Sequence, residues 1–329
     1  MDYLKKANTC ASPFRDNISI DFLAAFALDG EAAAAALLGA VRCLLQGDLP
    51  SSVAGALARG TLIGILKEEP SVVDRQRSEA ALRGEPFKLP LRPITFGSAI
   101  GRVALGCLLL AVKDPITEAV GDDQFGLFTK GGAEMMQLAV QAIFEELPHL
   151  AVLSVDARNA FNAISREAIL AALQANPRLH CLIPVYKMLY MDRPTELLYY
   201  EDGPNSAPRV ILSRRGVRQG CPLGSALFCI ALAPVLRRLR LLAGPEAIAL
   251  SYVDDMTVAL RPERLPAVDA ALDPILGTIG LDPVRDRGKS FAVPHRLEAP
   301  LPVDAAEVST DHCRDPLPLP STSIEQRPG

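Results

Sequence analysis

Two adjacent aspartates, Asp254 and Asp255, lie in the segment ALSYVDDMTVAL, residues 249–260, between two apolar stretches. The alternation of apolar and other residues on both sides is typical of short β-strands, so the pair is predicted to lie at the tip of a hairpin. Aspartate favours turns, and a plain turn is one interpretation of the pair. A site for a divalent metal ion is the other, because such ions prefer carboxylate oxygens.

A third acid, Asp156, directly follows the segment AVLSV, where the sequence predicts a buried strand over 150–155. A carboxylate there is costly unless it is hydrogen-bonded, paired or bound to a metal, and capping the following helix is the alternative role. Phosphoryl transfer by two metal ions needs carboxylates that hold the ions roughly 3.5–4 Å apart. Asp156 at the end of a strand and the distant pair Asp254 and Asp255 could supply them. Mg²⁺ suits such a set, because substrate phosphates and water supply its other ligands.

The elements that must position these acids alternate between helices and strands, which predicts an α+β fold. Helices are expected over 18–59 and from Ser98, a good N-cap residue, and a strand is expected over 61–66. The charged and proline-bearing stretch 68–90 is expected to be an excursion. Paired strands are predicted in PTELLYY and RVILSRRG, on either side of a polar turn.

The segment GGAEMMQLAVQAIFEEL, residues 131–147, is predicted to be an amphipathic helix that begins after two glycines. The predicted buried face comprises Met135, Leu138, Ala139, Ala142 and Ile143.

The composition of the 329-residue chain, 49% hydrophobic and 22% charged, allows a sizeable core. Its net charge of −4 argues mildly against a nucleic-acid partner, although a local basic groove can coexist with an acidic remainder. Seven cysteines at wide spacings, without a CxxC pair, indicate neither a disulfide framework nor a zinc site. They favour a reducing, intracellular compartment, with nucleus and cytoplasm not distinguished. We expect no signal peptide, because the N-terminal stretch MDYLKKANTCASPFRDN contains no apolar h-region. We expect no membrane partner, because the apolar run 32–45 is too short to span a bilayer and contains Arg42.

Four segments occur in a characteristic order: SVDARNAFNAISR, GVRQGCPLGSALF, YVDD and GLDPVRDRGKS. This order and spacing resembles motifs A to D of reverse transcriptases, most closely those of non-LTR retrotransposons. LRPITFGSAIGR resembles the fingers motif of the family, and QFGLFTKGGAEMMQLAV resembles its Q-x-G segment. The resemblance covers about residues 55–293. It implies a right-hand polymerase with fingers and an antiparallel palm sheet backed by helices, acting on an RNA template, a DNA primer and dNTPs.

The resemblance also implies roles for the acids. Asp156 and Asp254 correspond to bridging ligands of two Mg²⁺ ions, with Mn²⁺ as an alternative, and Asp255 to a third, weaker ligand. The backbone carbonyl of Ala157 could add a metal contact. Lys289 matches a motif D lysine that could act as general acid for the leaving pyrophosphate, or it is a solvated surface lysine.

Other residues match the nucleotide pocket of the family. Phe161 matches the steric gate against a 2′-OH, with a core phenylalanine as the alternative. Gln219 and Gly220 match the pair that faces the incoming nucleotide, since glycine permits close backbone approach. Arg92 matches the arginine that grips the triphosphate. Lys67 is a weaker match for its partner, because the gap between Lys67 and Arg92 is long.

The domain prediction is an N-terminal helical segment over 1–54, a fingers-like region over 55–150, a palm over 151–293 and a Pro-rich, disordered tail over 294–329. The thumb that follows motif D in the family is expected to be missing, with another chain as its possible source. The sequence leaves two alternatives to a polymerase. One is a truncated, non-catalytic remnant that at most binds nucleic acid, and the other is a different metal-dependent phosphotransferase or nuclease.

Overall fold

The structure is a computed structural model that describes residue 4 and residues 18–47, 49–201, 206–285 and 291–293. Its fold is α+β, as predicted, and the strands of the described residues form two four-stranded sheets. The strands are β1 (Gly60–Leu66), β2 (Leu91–Phe96), β3 (Ala151–Val155), β4 (Thr195–Tyr199), β5 (Arg209–Ser213), β6 (Ile248–Tyr252), β7 (Asp255–Leu260) and β8 (Phe291–Val293).

Helices precede and separate these strands. The longer ones are α1 (Ile20–Leu28), α2 (Glu31–Gln46), α3 (Ser51–Ala58), α4 (Pro70–Leu82), α5 (Ala99–Ala111), α6 (Lys113–Val120) and α7 (Gly132–Glu146). They continue with the short α8 (Ala160–Ala163), then α9 (Arg166–Gln174), the short α10 (Ile183–Tyr186), α11 (Gly224–Ala243) and α12 (Leu265–Gly277). A 3₁₀ turn (Pro177–Leu182) precedes α10, a π turn (Lys187–Met191) follows it, and a second 3₁₀ turn (Pro262–Arg264) precedes α12.

One sheet has the order β6-β7-β3-β8 and is antiparallel throughout. Its side chains alternate between two apolar clusters, as a strand covered on both faces requires. Leu153 and Val155 belong to the main core with α11, whereas Val152 belongs to a smaller cluster with Ile143 of α7. The predicted antiparallel sheet backed by helices is therefore present.

The other sheet has the order β2-β1-β4-β5 and is mixed, because β1 runs parallel to β4. Its strands come from the predicted fingers range and, through β4 and β5, from the predicted palm range. The two predicted strands PTELLYY and RVILSRRG do pair with each other, but as part of this second sheet. The domain boundaries themselves stay predictions.

The stretch 68–90 is an excursion between β1 and β2, as predicted, and it contains the helix α4, of which Val73 and Ala80 are buried. One local expectation was wrong in part. Helix α7 does form, and Ala139 and Ile143 pack as predicted. Met135, Leu138 and Ala142 are exposed, however, and Met136 packs in their place. By contrast, Ser98 does cap α5, with its Oγ accepting from the Gly101 N–H at 3.2 Å.

Within the described residues, no single helix is long and apolar enough to cross a membrane; the bent pair α2 and α3 meets that test only when its two helices are taken together.

Candidate active site

Three carboxylates meet at one end of the antiparallel sheet. Strand β3 pairs with β7 so that Val155 lies opposite Met256, and continuing this register puts Asp156 opposite Asp255. Asp254 occupies the tight turn between β6 and β7. Residues directly opposite each other in such a pair lie about 4.5–5.5 Å apart, so strand pairing brings Asp156 close to Asp255, and Asp254 adjoins Asp255 in the chain. All three line one cleft of about 940 Å³.

The acids repel one another in a partly buried place. Burial raises the pKa of Asp254 above its usual range, and the charges of Asp255 and Asp156 raise it further, while Arg92 acts in the opposite direction. Burial, followed by the charge of Asp156, raises the pKa of Asp255 in the same way. A bound cation would relieve this accumulation of negative charge.

The donor set fits a hard divalent ion. Among the described residues, no three His, Cys, Asp or Glu side chains form a ready-made metal-binding group. An Mg²⁺ ion bound by these acids would complete its six ligands with waters and substrate phosphates, as Mg²⁺ sites commonly do. Ala157 lines the same cleft, while Val284 donates its N–H to the Asp156 carbonyl at 2.8 Å.

The loop between β5 and α11 brings Gln219 and Gly220 to the same cleft. The Thr95 N–H of β2 donates to the Gln219 carbonyl at 2.7 Å. Gly220 has φ of +102°, and a Cβ there would lie 2.5 Å from the Thr95 carbonyl oxygen. Glycine is thus required at 220 by backbone approach to β2, a reason that holds whether or not a nucleotide binds.

Arg92 and Lys67 both line the cleft, although the sequence gap between them made Lys67 the weaker match. The β1–β2 hairpin explains this proximity. Arg92 pairs with Ile65, and the Lys67 N–H donates to the Pro90 carbonyl at 2.8 Å, just past the paired strands. The long sequence gap between Lys67 and Arg92 contains α4, which connects β1 to β2.

Phe161 contacts the core and also lines the cleft. Its ring stacks on Phe228 of α11 with a centroid separation of 5.0 Å, and it lies beside Asp156 in the cleft. Its role as a steric gate stays a prediction. The Val217 N–H donates to its carbonyl at 2.8 Å, which fixes the start of α8 against the Gln219 loop.

A model of the family described as "Reverse transcriptase (RNA-dependent DNA polymerase)" matches residues 91–275, which is more than half of the chain. The chain belongs to the reverse transcriptase family. The matched range contains the three aspartates, Arg92 and the Gln219 loop. Lys67 and Lys289 lie outside it, so the match adds nothing to their assignments.

Two curated relatives of this reverse transcriptase come from mobile elements. It is 35% identical over 190 residues, 58% of its length, to the Retrotransposable element SLACS 132 kDa protein of Trypanosoma brucei gambiense. It is 26% identical over 186 residues, 52% of its length, to the Transposon TX1 uncharacterized 149 kDa protein of Xenopus laevis. The matches span only 15% and 14% of those two proteins.

Sequence reasoning missed two buried arginines that hold the loop between β5 and α11, which carries Gln219, in place. The guanidinium groups of Arg166 and Arg218 each lie 5.4 Å from the centroid of the buried Tyr190 ring. Arg166 donates to the carbonyls of Gly216, Tyr190 and Arg215 and to the Ser213 hydroxyl.

Arg218 donates to the Ala58 carbonyl at 2.7 Å, which ties the loop to the end of α3. In the part of the chain that the structure describes, neither guanidinium has a carboxylate partner within salt-bridge distance. The RQG segment and the arginine that begins α9 were visible in the sequence, but nothing there indicated that both side chains are buried.

One predicted site residue, Lys289, lies outside the described residues, together with the end of the segment that resembles motif D, residues 286–290.

Proposed function

We propose that this chain is the polymerase part of a retroelement protein, and that it transfers nucleotides from dNTPs to the 3′-OH of a DNA primer on an RNA template. The observation that carries this proposal is the convergence of Asp156, Asp254 and Asp255 in a cleft that Arg92 also lines. Family membership supports it, because reverse transcriptases act on template, primer and nucleotides and generally use divalent metal ions.

In this proposal Asp156 and Asp254 hold two Mg²⁺ ions, with Asp255 and the Ala157 carbonyl as additional ligands. When bound, the ions, or Mn²⁺ in their place, would activate the primer 3′-OH and neutralise charge on the phosphates. The clustered and partly desolvated carboxylates support a cation here, since each makes the ionised form of its neighbours less stable.

The incoming dNTP would lie between the two sheets of the cleft. Arg92 would grip the triphosphate as a bidentate donor, assisted by Lys67. Gln219, on a loop hydrogen-bonded to the strand of Arg92, would face the nucleotide. Phe161 would stack under the sugar and exclude a 2′-OH, and Lys289 would give a proton to the leaving pyrophosphate.

Primer extension on poly(rA)/oligo(dT) with Mg²⁺ tests the proposal. We expect the chain to extend the primer with dTTP, and Asp254→Asn to abolish extension because it removes a charged metal ligand. Asp74→Asn is the matched control, because Asp74 lies on α4 with a mostly exposed side chain and outside the cleft. Loss of activity in both variants, or full activity in Asp254→Asn, would contradict the assignment.

The same assay separates the two alternatives. A remnant would bind labelled primer–template without extending it, under conditions in which the folded state is confirmed by circular dichroism. A nuclease would shorten the primer in a metal-dependent way without requiring dNTPs.

A further inference from the structure

The turn that carries Asp254 and Asp255 has a backbone conformation that its own sequence disfavours. Val253, the first residue of the turn, has φ of +56°. A β-branched residue at positive φ is a genuine outlier, because its side chain crowds the backbone. Such conformations persist only where the surrounding structure over-determines them. Something outside the hairpin must therefore hold this turn.

The side chain of Gln124 contacts the turn at both polar groups of Val253. Its Oε1 accepts from the Val253 N–H at 2.8 Å, and its Nε2 donates to the Val253 carbonyl at 3.3 Å. The same amide accepts from the Gly126 N–H at 2.9 Å and donates to the Ser251 hydroxyl at 2.9 Å. Gln124 is 5% exposed and Ser251 is fully buried. The amide thus uses two acceptor and two donor positions, which is its full capacity.

The backbone around Gln124 is fixed to the same hairpin. The Ser251 N–H donates to the Asp123 carbonyl and the Phe125 N–H to the Ser251 carbonyl, both at 2.8 Å. Residues 123–125 therefore lie alongside the end of β6 as a short parallel extension of the sheet. This pairing aims the Gln124 side chain at the turn.

Gly126 completes the fit between the two segments. A Cβ at this position would lie 2.5 Å from Val253 Cγ2 and 2.6 Å from the Val253 nitrogen. Real Cβ atoms do not approach so closely, so any side chain at 126 would push the turn away. The Q-x-G spacing of residues 124–126 matches this contact, because Gln124 hydrogen-bonds to the turn and Gly126 leaves room for it.

We propose that Gln124, with Gly126, is a positioning residue that holds the Val253 turn in the conformation that directs Asp254 and Asp255 toward Asp156. The inference rests on the proposed polymerase function for its catalytic consequence. Its structural part, the dependence of the turn on Gln124, is independent of that function. Gln124 itself need not touch metal, nucleotide or primer.

Kinetics of single-nucleotide addition test the catalytic consequence in Gln124→Ala. We expect the rate per folded molecule to fall about 10- to 100-fold and the half-saturating Mg²⁺ concentration to rise, since loss of groups that orient metal ligands has effects of this size. KM for dTTP should stay within about twofold, because Arg92 and Gln219 lie on other elements. Gln141→Ala is the matched amide control, since Gln141 is exposed on α7 and its hydrogen bond stays within that helix.

A stability control separates positioning from general loosening. Val268→Ala, in the fully buried face of α12, removes core contacts without touching the cleft. Each variant is assayed at a temperature a fixed interval below its own midpoint of unfolding. A rate loss in Gln124→Ala no larger than that in Val268→Ala would overturn the proposal.

Rescue gives a second catalytic readout. Glycine adopts positive φ without strain, so Val253→Gly in the Gln124→Ala background should recover part of the lost rate. General loosening predicts the opposite, because the second change only removes further contacts. A double variant as slow as or slower than Gln124→Ala counts against the proposal.

Amide exchange provides a readout that does not depend on activity. The Val253 N–H should exchange markedly faster in Gln124→Ala than in the unsubstituted chain, while exchange in α12 stays unchanged. If the unsubstituted chain never extends a primer, the proposed function fails, and the exchange result alone decides whether Gln124 holds the turn. Unchanged protection of Val253 would overturn the inference in either case.

Discussion

Replacing Gly220 by alanine should destabilise this reverse transcriptase more than the same replacement at Gly244, and a single backbone contact accounts for the difference. The two glycines have similar φ values, +102° and +111°. Alanine at either position incurs backbone strain of about 1–3 kcal/mol. At Gly244, which follows α11, nothing lies within 4 Å of an added Cβ, whereas at Gly220 the Thr95 carbonyl oxygen lies at 2.5 Å.

The magnitude follows from that contact. The Gln219 loop or β2 would have to move by several tenths of an ångström, and overpacking of this kind costs about 1–3 kcal/mol. The movement would also strain the 2.7 Å hydrogen bond from the Thr95 N–H to the Gln219 carbonyl. Gly220→Ala should therefore lower the free energy of unfolding by about 1–3 kcal/mol more than Gly244→Ala does. At about 2–4 °C per kcal/mol, its midpoint should fall by roughly a further 2–12 °C.

Thermal unfolding of the unsubstituted chain and the two variants, followed by circular dichroism in one buffer, measures this difference. Primer extension adds a functional comparison, because Gly220 lines the cleft and Gly244 does not. We expect KM for dTTP to rise in Gly220→Ala and to stay unchanged in Gly244→Ala. Equal midpoints for the two variants would refute the reasoning, since they would mean that the loop relaxes away from β2 without cost.

Two further predictions concern residues that surround the carboxylates. Phe161→Ala should raise incorporation of ribonucleotides relative to deoxyribonucleotides, by tenfold for each ~1.4 kcal/mol of steric exclusion removed. The ratio from competing dTTP and rUTP does not depend on the folded fraction, and an unchanged ratio would leave Phe161 only its stacking role on Phe228. Cys229 of α11 is 1% exposed, and burial, followed by the charge of Asp254, raises the pKa of its thiol to about 12. Iodoacetamide at pH 8 should therefore modify the exposed Cys43 and Cys181 in the folded protein and reach Cys229 only in denaturant, as peptide mass spectrometry can show; rapid native labelling of Cys229 would contradict its burial.

Local sequence rules predicted the elements that carry the chemistry. The apolar segment before Asp156 forms β3, the alternation around Asp254 and Asp255 forms the β6–β7 hairpin, and Ser98 caps α5. Each of these features depends on neighbours within a few residues, through alternation of exposure or a single side-chain-to-backbone hydrogen bond. The motif resemblance added the order of the segments and indicated the family, and the match over residues 91–275 confirmed the family.

Long-range pairing decided the rest. Which strands share a sheet is set by residues far apart in the sequence, so the parallel pairing of β1 with β4 could not be predicted from either segment. The exposed Met135 and Leu138 show that an apolar residue on a helix is buried only if another element lies over it. The amide of Gln124 and the guanidinium of Arg166 look like ordinary polar side chains in the sequence. The tertiary structure buries both side chains beside backbone carbonyl and N–H groups that need hydrogen-bond partners. Buried backbone groups must be hydrogen-bonded, and these two side chains supply bonds of that kind.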